Sequence, residues 1–250
     1  MAVSEPRAAT AGRIHSWDLS TGVDGPGTRF VLFLSGCPLR CLYCANPDTW
    51  HMRDGRAATV DEVMAEIEKY RAFVTTAGGG VSITGGEPLL QPAFTGAVLR
   101  RCKELGLHTA IDTSGFLGER ATDELLADTD LVLLDIKSFS SETYRSLTGG
   151  ELTPTLDFAA RLDRLGARVW IRYVLVPGWT DDRQSVEGLA HFVAGLGNVD
   201  RVDVLPFHKL GTSKYEALRI PFPLRDNPVP GPALTERVRE QFREQGLTAY

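Results

Sequence analysis

Asp130-Leu131-Val132-Leu133-Leu134-Asp135-Ile136 is the stretch that sets the fold class of this chain. Its apolar residues run consecutively instead of alternating with polar ones, so both faces of the segment are expected to be dry. Strands of that kind belong to parallel sheets covered by helices. Working outward, residues 28–35, 80–84 and 108–112 before it, and 169–174 and 201–205 after it, are further runs of strand length. Residues 60–74, 92–105, 119–128, 154–165, 183–195 and 232–245 carry apolar residues at helical spacing. Thr59 and Glu62 form a capping-box signature ahead of the first of these helices. Gly106, Gly166 and Gly246 stand where helices commonly end in left-handed glycine. The proline-rich residues 225–232 read as a loop.

Each of the six strands leads to a helix, with no hairpin signal between them. That alternation predicts an α/β fold with parallel strands and outer helices. Six units are too few for an eightfold barrel, so a partial (β/α)6 TIM-like open barrel is expected; a doubly wound open sheet is the alternative. Residues 1–11 read as a disordered tail and 12–250 as one domain.

Charge and composition exclude several functions. Lys and Arg total 27 against 32 Asp and Glu, a net charge of -5 without a basic run, which argues against nucleic acid as a partner. No apolar stretch reaches membrane-spanning length, and the N-terminus has no signal-peptide core. A cytoplasmic protein with no membrane partner is expected.

Three of the four cysteines fall in Ser35-Gly36-Cys37-Pro38-Leu39-Arg40-Cys41-Leu42-Tyr43-Cys44. The spacing is C-x3-C-x2-C. Disulfide frameworks spread their cysteines to close long loops, whereas a tight cluster in a reducing compartment points to metal. Thiolates suit iron–sulfur clusters, zinc and copper(I). A [4Fe–4S] cluster on three cysteines keeps one iron open for a substrate or cofactor. Cys102, inside the helix at 92–105, reads as core. A zinc site completed by His15 or His51 is the competing possibility, in a binding protein without redox activity.

Other polar residues gather at the carboxyl ends of strands, where parallel α/β folds place their sites. They are Gly85-Gly86-Glu87, Asp112-Thr113, Asp135, Lys137 and His208. A glycine pair lets the backbone approach another group closely, or makes a turn. Arg172, a charge within a buried strand, needs a partner and is expected to face the barrel interior.

The cysteine loop, with aromatic Tyr43 before the last cysteine, resembles the radical S-adenosylmethionine enzymes. The resemblance implies a [4Fe–4S] cluster on Cys37, Cys41 and Cys44 that reductively cleaves S-adenosylmethionine, and a 5′-deoxyadenosyl radical that removes a hydrogen atom. It also implies cofactor contacts at Tyr43, Cys44, Ala45, Gly85, Gly86, Glu87, Asp112, Thr113, Asp135, Ile136, Lys137 and His208, with a monovalent cation beside Asp112. Within that family, four stretches resemble glycyl-radical activating enzymes: residues 21–29 (TGVDGPGTR), 43–50 (YCANPDTW), 170–174 (WIRYV) and 176–182 (VPGWTDD). Relatives often carry His where Ala45 stands, and the cysteine-rich insert of several activases is absent, since no cysteine lies between Cys44 and Cys102. The implied partners are a glycyl-radical enzyme as protein substrate and a flavodoxin or ferredoxin-type electron donor. Residues 18–27 and 225–232 are the loops expected to receive the partner's glycine loop. Another radical enzyme, acting on a small molecule or peptide, is the nearer alternative.

Overall fold

A computed structural model describes residues 10–250. Residues 1–9 of the expected tail lie outside the described residues. Ala11, the last residue of that tail, already belongs to a strand.

In chain order the elements are β1 (Ala11–Thr21), β2 (Thr28–Leu34), β3 (Arg56–Thr59), α1 (Val60–Thr76), β4 (Gly80–Gly85), α2 (Pro92–Glu104), β5 (His108–Thr113) and α3 (Asp123–Ala127). There follow β6 (Leu131–Asp135), α4 (Ser141–Thr148), α5 (Thr153–Arg164), β7 (Val169–Leu175), α6 (Arg183–Ala194), β8 (Val199–Pro206), α7 (Thr212–Leu218) and α8 (Pro232–Arg243). The strands form one sheet in the order β3-β1-β2-β4-β5-β6-β7-β8. From β2 to β8 every neighbour is parallel. The curved sheet does not close on itself, which is the open partial barrel expected from the alternation.

Two strands were not expected. β1 runs antiparallel to both β2 and β3 and extends the sheet beyond the six parallel strands. A β1–β2 hairpin therefore exists, closed across its turn by Gly22 N–H donating to the Gly27 carbonyl (3.1 Å). Residues 18–21 belong to β1 and only the rest of 18–27 is loop. α4 and α7 are likewise additions. The expected helix at 119–128 starts only at Asp123, where Thr122 accepts the Leu125 N–H as N-cap.

Burial explains why the apolar runs fold as they do. Leu131–Leu134 of β6 are all buried, as the consecutive pattern requires. Val132 and Leu134 join the large core beneath the helices. Leu131 and Leu133 point the other way and pack with Ala110 and Trp170 inside the barrel. Each such side chain contributes roughly 2 kcal/mol through the area it removes from water. Thr59 and Glu62 form the expected reciprocal capping box on α1. Cys102 is fully buried in α2, its Sγ 3.9 Å from Met64 Sδ, and is part of the core. Among the described residues no helix is long and apolar enough to cross a membrane.

Candidate active site

The cysteine loop leaves the carboxyl end of β2 and is tied down by backbone hydrogen bonds. Cys37 N–H donates to the Trp50 carbonyl (3.0 Å), and Cys44 N–H to that of Cys41 (3.0 Å). Arg40 and Leu42 N–H groups donate to the Thr148 and Leu147 carbonyls at the end of α4 (2.7 and 2.9 Å). Those carbonyls lack partners inside their own helix, so the unexpected α4 supplies the loop's mooring. All three cysteines line one cavity of about 230 Å³ at the carboxyl ends of the strands.

Burial pushes the Cys37 thiol up to about 12, with Glu87 adding to the effect. Burial likewise pushes Cys41 up to about 11, against the pull of Lys137. Cys44 is also raised by burial, while the Asn46 backbone and the Trp50 side chain favour its thiolate. Three crowded thiolates need positive charge, which a bound metal centre supplies. Among the described residues no three His, Cys, Asp or Glu side chains form a group suited to one metal ion. His15 is engaged by Asp48 (3.1 Å) and Ser16 (2.8 Å), and His51 is exposed. The zinc alternative thus gains no fourth ligand. A set of three soft donors without a fourth fits a [4Fe–4S] cluster with one open corner.

The glycine pair has a steric reason in the protein itself. Gly85 has φ +108°, and a Cβ there would lie 2.3 Å from the Leu34 backbone nitrogen; one on Gly86 would lie 2.2 Å from the Gly36 carbonyl oxygen. Only glycine lets β4 end against the root of the cysteine loop. Glu87 follows, almost fully buried. Its carboxylate accepts from Thr113 Oγ1 (2.6 Å), Ser114 Oγ (2.6 Å), Ser114 N–H (3.0 Å) and Leu89 N–H (3.1 Å). Both oxygens are thus occupied in joining the ends of β4 and β5.

A charged network forms the opposite wall. Asp112 Oδ2 accepts from Thr84 Oγ1 (2.8 Å) and Arg172 Nη1 (3.1 Å), while its buried Oδ1 has no partner. Burial pushes the Asp112 carboxyl up to about 6, against the pull of Arg172 and helped by the repulsion of Asp135. Arg172 Nε also lies 3.8 Å from Asp135 Oδ1, so this arginine does face the barrel interior. Lys137 Nζ donates to Asp135 Oδ2 (2.9 Å) and sits 5.7 Å from the Tyr43 ring centre. Burial alone would lower the Lys137 pKa, but Asp135 and its neighbours hold it well above the ordinary value. The buried Tyr43 hydroxyl has no partner. Tyr43 and Asp112, each with a buried polar atom that lacks a partner, therefore line the same cavity as the cysteines.

Every residue expected at the site lines this cavity except Ile136, whose side chain is turned into the main core. His208 sits exposed at the rim. Thr84, Ser114, Trp50 and Asn46 also line it and were not expected; Asn46 and Trp50 are close enough to the cysteines in sequence to have been suspected. The two expected receiving loops lie at different ends of the barrel. Lys209 Nζ donates to the Arg225 carbonyl, which ties residues 225–232 to the mouth. The 22–27 turn lies at the amino end of β2, away from the cysteines. It meets the barrel from below, where the Asp24 carbonyl accepts from Ser82 Oγ and the Asp24 charge acts on Asp112 and Arg172.

Comparison with known proteins gives consistent results. A family model described as the Radical SAM superfamily matches residues 31–192. The chain is 43% identical over 237 residues to the pyruvate formate-lyase 1-activating enzyme of Escherichia coli (strain K12), covering 94% of this chain and 96% of that one. It is 45% identical over 215 residues to the pyruvate formate-lyase-activating enzyme of Clostridium pasteurianum, covering 86% and 90%. Streptococcus suis SuiB, solved with the precursor peptide SuiA, shares the fold with a TM-score of 0.66 at 18% identity, over 88% of this chain and 47% of that one.

Proposed function

Because the chain belongs to the radical S-adenosylmethionine superfamily, we propose that it is an activating enzyme for pyruvate formate-lyase, generating the glycyl radical of that partner. The observation that carries this reading is the shared cavity: three loop thiols opposite Asp112, Asp135, Lys137 and Arg172. When bound, the [4Fe–4S] cluster and S-adenosylmethionine together supply an electron and the 5′-deoxyadenosyl radical that takes a hydrogen atom from a glycine Cα.

The chain's own residues bind and orient. Cys37, Cys41 and Cys44 hold the cluster. Gly85 and Gly86 set the β4 edge against the cysteine loop and would receive the cofactor's amino group, and Glu87 keeps that edge fixed through Thr113 and Ser114. Asp112, whose Oδ1 lacks a partner, would be the residue to hold a monovalent cation beside the cofactor. Lys137 and Asp135 offer a donor and an acceptor to the carboxylate and ribose, while Tyr43, Ala45 and His208 complete the walls. Ile136 acts from the core, fixing the backbone between Asp135 and Lys137. A partner loop reaches the mouth beside residues 225–232, above Asp24. A flavodoxin or ferredoxin-type protein donates the electron, and the enzyme works in the cytoplasm as one domain that includes Ala11 of β1 together with residues 12–250.

The test is anaerobic reconstitution with iron and sulfide, reduction by dithionite and addition of S-adenosylmethionine, with Cys41→Ala as control. 5′-Deoxyadenosine from the wild type alone, followed by a glycyl-radical EPR signal on added pyruvate formate-lyase, is the expected outcome. A colourless protein that holds zinc and forms no 5′-deoxyadenosine refutes the reading. 5′-Deoxyadenosine without a radical on pyruvate formate-lyase moves the substrate to another partner.

A further inference from the structure

Arg40 lies inside the cysteine loop, yet its side chain is exposed. Its Nη1 donates to the carbonyls of Cys37 (2.7 Å) and Leu39 (2.8 Å). Its guanidinium carbon stands 5.2 Å from the centre of the Trp50 ring, within cation–π range. Trp50 in turn lines the cavity and takes the Cys37 N–H on its carbonyl. One guanidinium thus spans the loop from Cys37 to the segment just after Cys44. Two loop carbonyls thus accept from the same guanidinium nitrogen.

Among the described residues the charge of Arg40 is uncompensated. Lys137, the cation on the inner side, is paired with Asp135. Among the described residues no carboxylate pairs with Arg40, whose side chain meets only carbonyl oxygens and an aromatic face. A fixed cation beside an electron-accepting centre stabilises the reduced state, which carries one more negative charge.

We propose that Arg40 is a positioning residue for the one-electron reduction of the cluster: by clasping the Cys37 and Leu39 carbonyls over Trp50, it fixes an uncompensated positive charge on the outer face of the cysteine loop and raises the reduction potential. This rests on the cluster assigned above. The electron comes from the enzyme's external reductant, and no bond to Arg40 forms or breaks.

Exposure makes the position testable without unfolding the protein, and the Arg40 backbone bond to Thr148 survives any side-chain change. Wild type, Arg40→Gln and Arg40→Lys are reconstituted anaerobically and titrated against redox mediators, with the EPR signal of the reduced cluster as readout. The expected result is a full cluster in all three, a more negative midpoint potential for Arg40→Gln, and recovery of most of the shift in Arg40→Lys. The shift shrinks between about 0.05 M and about 0.5 M salt, because the charge is open to screening. Equal potentials for Arg40→Gln and wild type at low salt, or an Arg40→Lys potential as low as that of Arg40→Gln, overturn the proposal while leaving the function intact. A wild type that assembles no cluster overturns both.

Discussion

Arg29 and Arg172 are buried in the same barrel, and they are held in opposite ways. Arg29 sits near the amino end of β2 with no exposed surface. Uncharged partners hold it: Ser82 Oγ and the Val81 carbonyl closely, and the His108 ring Nδ1, the His108 carbonyl and the Pro26 carbonyl at 3.2, 3.3 and 3.4 Å. Burial pushes its pKa down to about 10. Arg172 lies at the level of the cavity and is held by Asp112 and Asp135. Burial opposes its charge too, but the two carboxylates outweigh that and raise its pKa. A guanidinium fixed by carbonyls, a hydroxyl and an imidazole has no carboxylate paired to it among the described residues, and Asp24 and Asp130 act on it only from a distance. One fixed by carboxylates belongs to a titrating network, and any charged ligand in the cavity perturbs it. The first fastens strands, while the second conditions a site.

The sharpest way to break this contrast is Arg29→Ala. It leaves several acceptors unmet and opens a void, so we expect a loss of about 4 kcal/mol in urea unfolding. Activity per folded molecule should persist. If activity falls while stability holds, the division of labour between the two arginines is wrong.

Arg172→Gln comes next. Removing one side of a buried ion network destabilises by about 3 kcal/mol, and here the yield of 5′-deoxyadenosine per folded enzyme should fall as well. A variant that cleaves S-adenosylmethionine at the wild-type rate would make Arg172 merely another fastener.

Asp112→Asn sharpens the electrostatic half of the comparison. Asp112 titrates near 6 in the fold against an ordinary value of 3.8. The folded protein holds that proton more tightly, so the associated stability is present below the ordinary value and is lost as pH rises through about 6. Protein without cluster or cofactor should weaken over that window, and Asp112→Asn should weaken less. In Arg172→Gln the loss should shift to higher pH. Chemical denaturation at several pH values decides, and identical pH profiles for wild type and Asp112→Asn would count against the network.

Ser82→Ala is the mildest change. It deprives Arg29 Nε of one acceptor and should cost about 1 kcal/mol with no change in activity.

How far these features were legible in the sequence depends on whether they are local. The six parallel strands were, because consecutive apolar residues such as Leu131–Leu134 announce a strand buried on both faces. β1 was not. Its burial is irregular, since Ile14 is covered while His15, Ser16 and Asp18 are not, and polar residues at a sheet edge look like loop. β3 has only four residues and exists because Arg56–Thr59 pairs with β1 some forty-five positions away. In the site, the cysteines announced themselves by spacing, and the strand-end carboxylates by position. The engagement of Glu87 by Thr113 and Ser114 was hidden, because it depends on how two separately folded strand ends meet. The pairing of Arg172 was expected in kind, but its partners depend on the parallel register that sets Asp135 beside it.

The order of the strands has a further consequence. With β3 at one edge and β8 at the other, the wall has a seam. A loop in the middle of another folded chain has no free end, so it enters a barrel either doubled back through the mouth or sideways through the seam. It can be laid sideways into a slot and lifted out again, as a thread is laid into a cleat. For a catalyst whose substrate is a stretch of another protein, an unfinished barrel adds a side entry to the mouth.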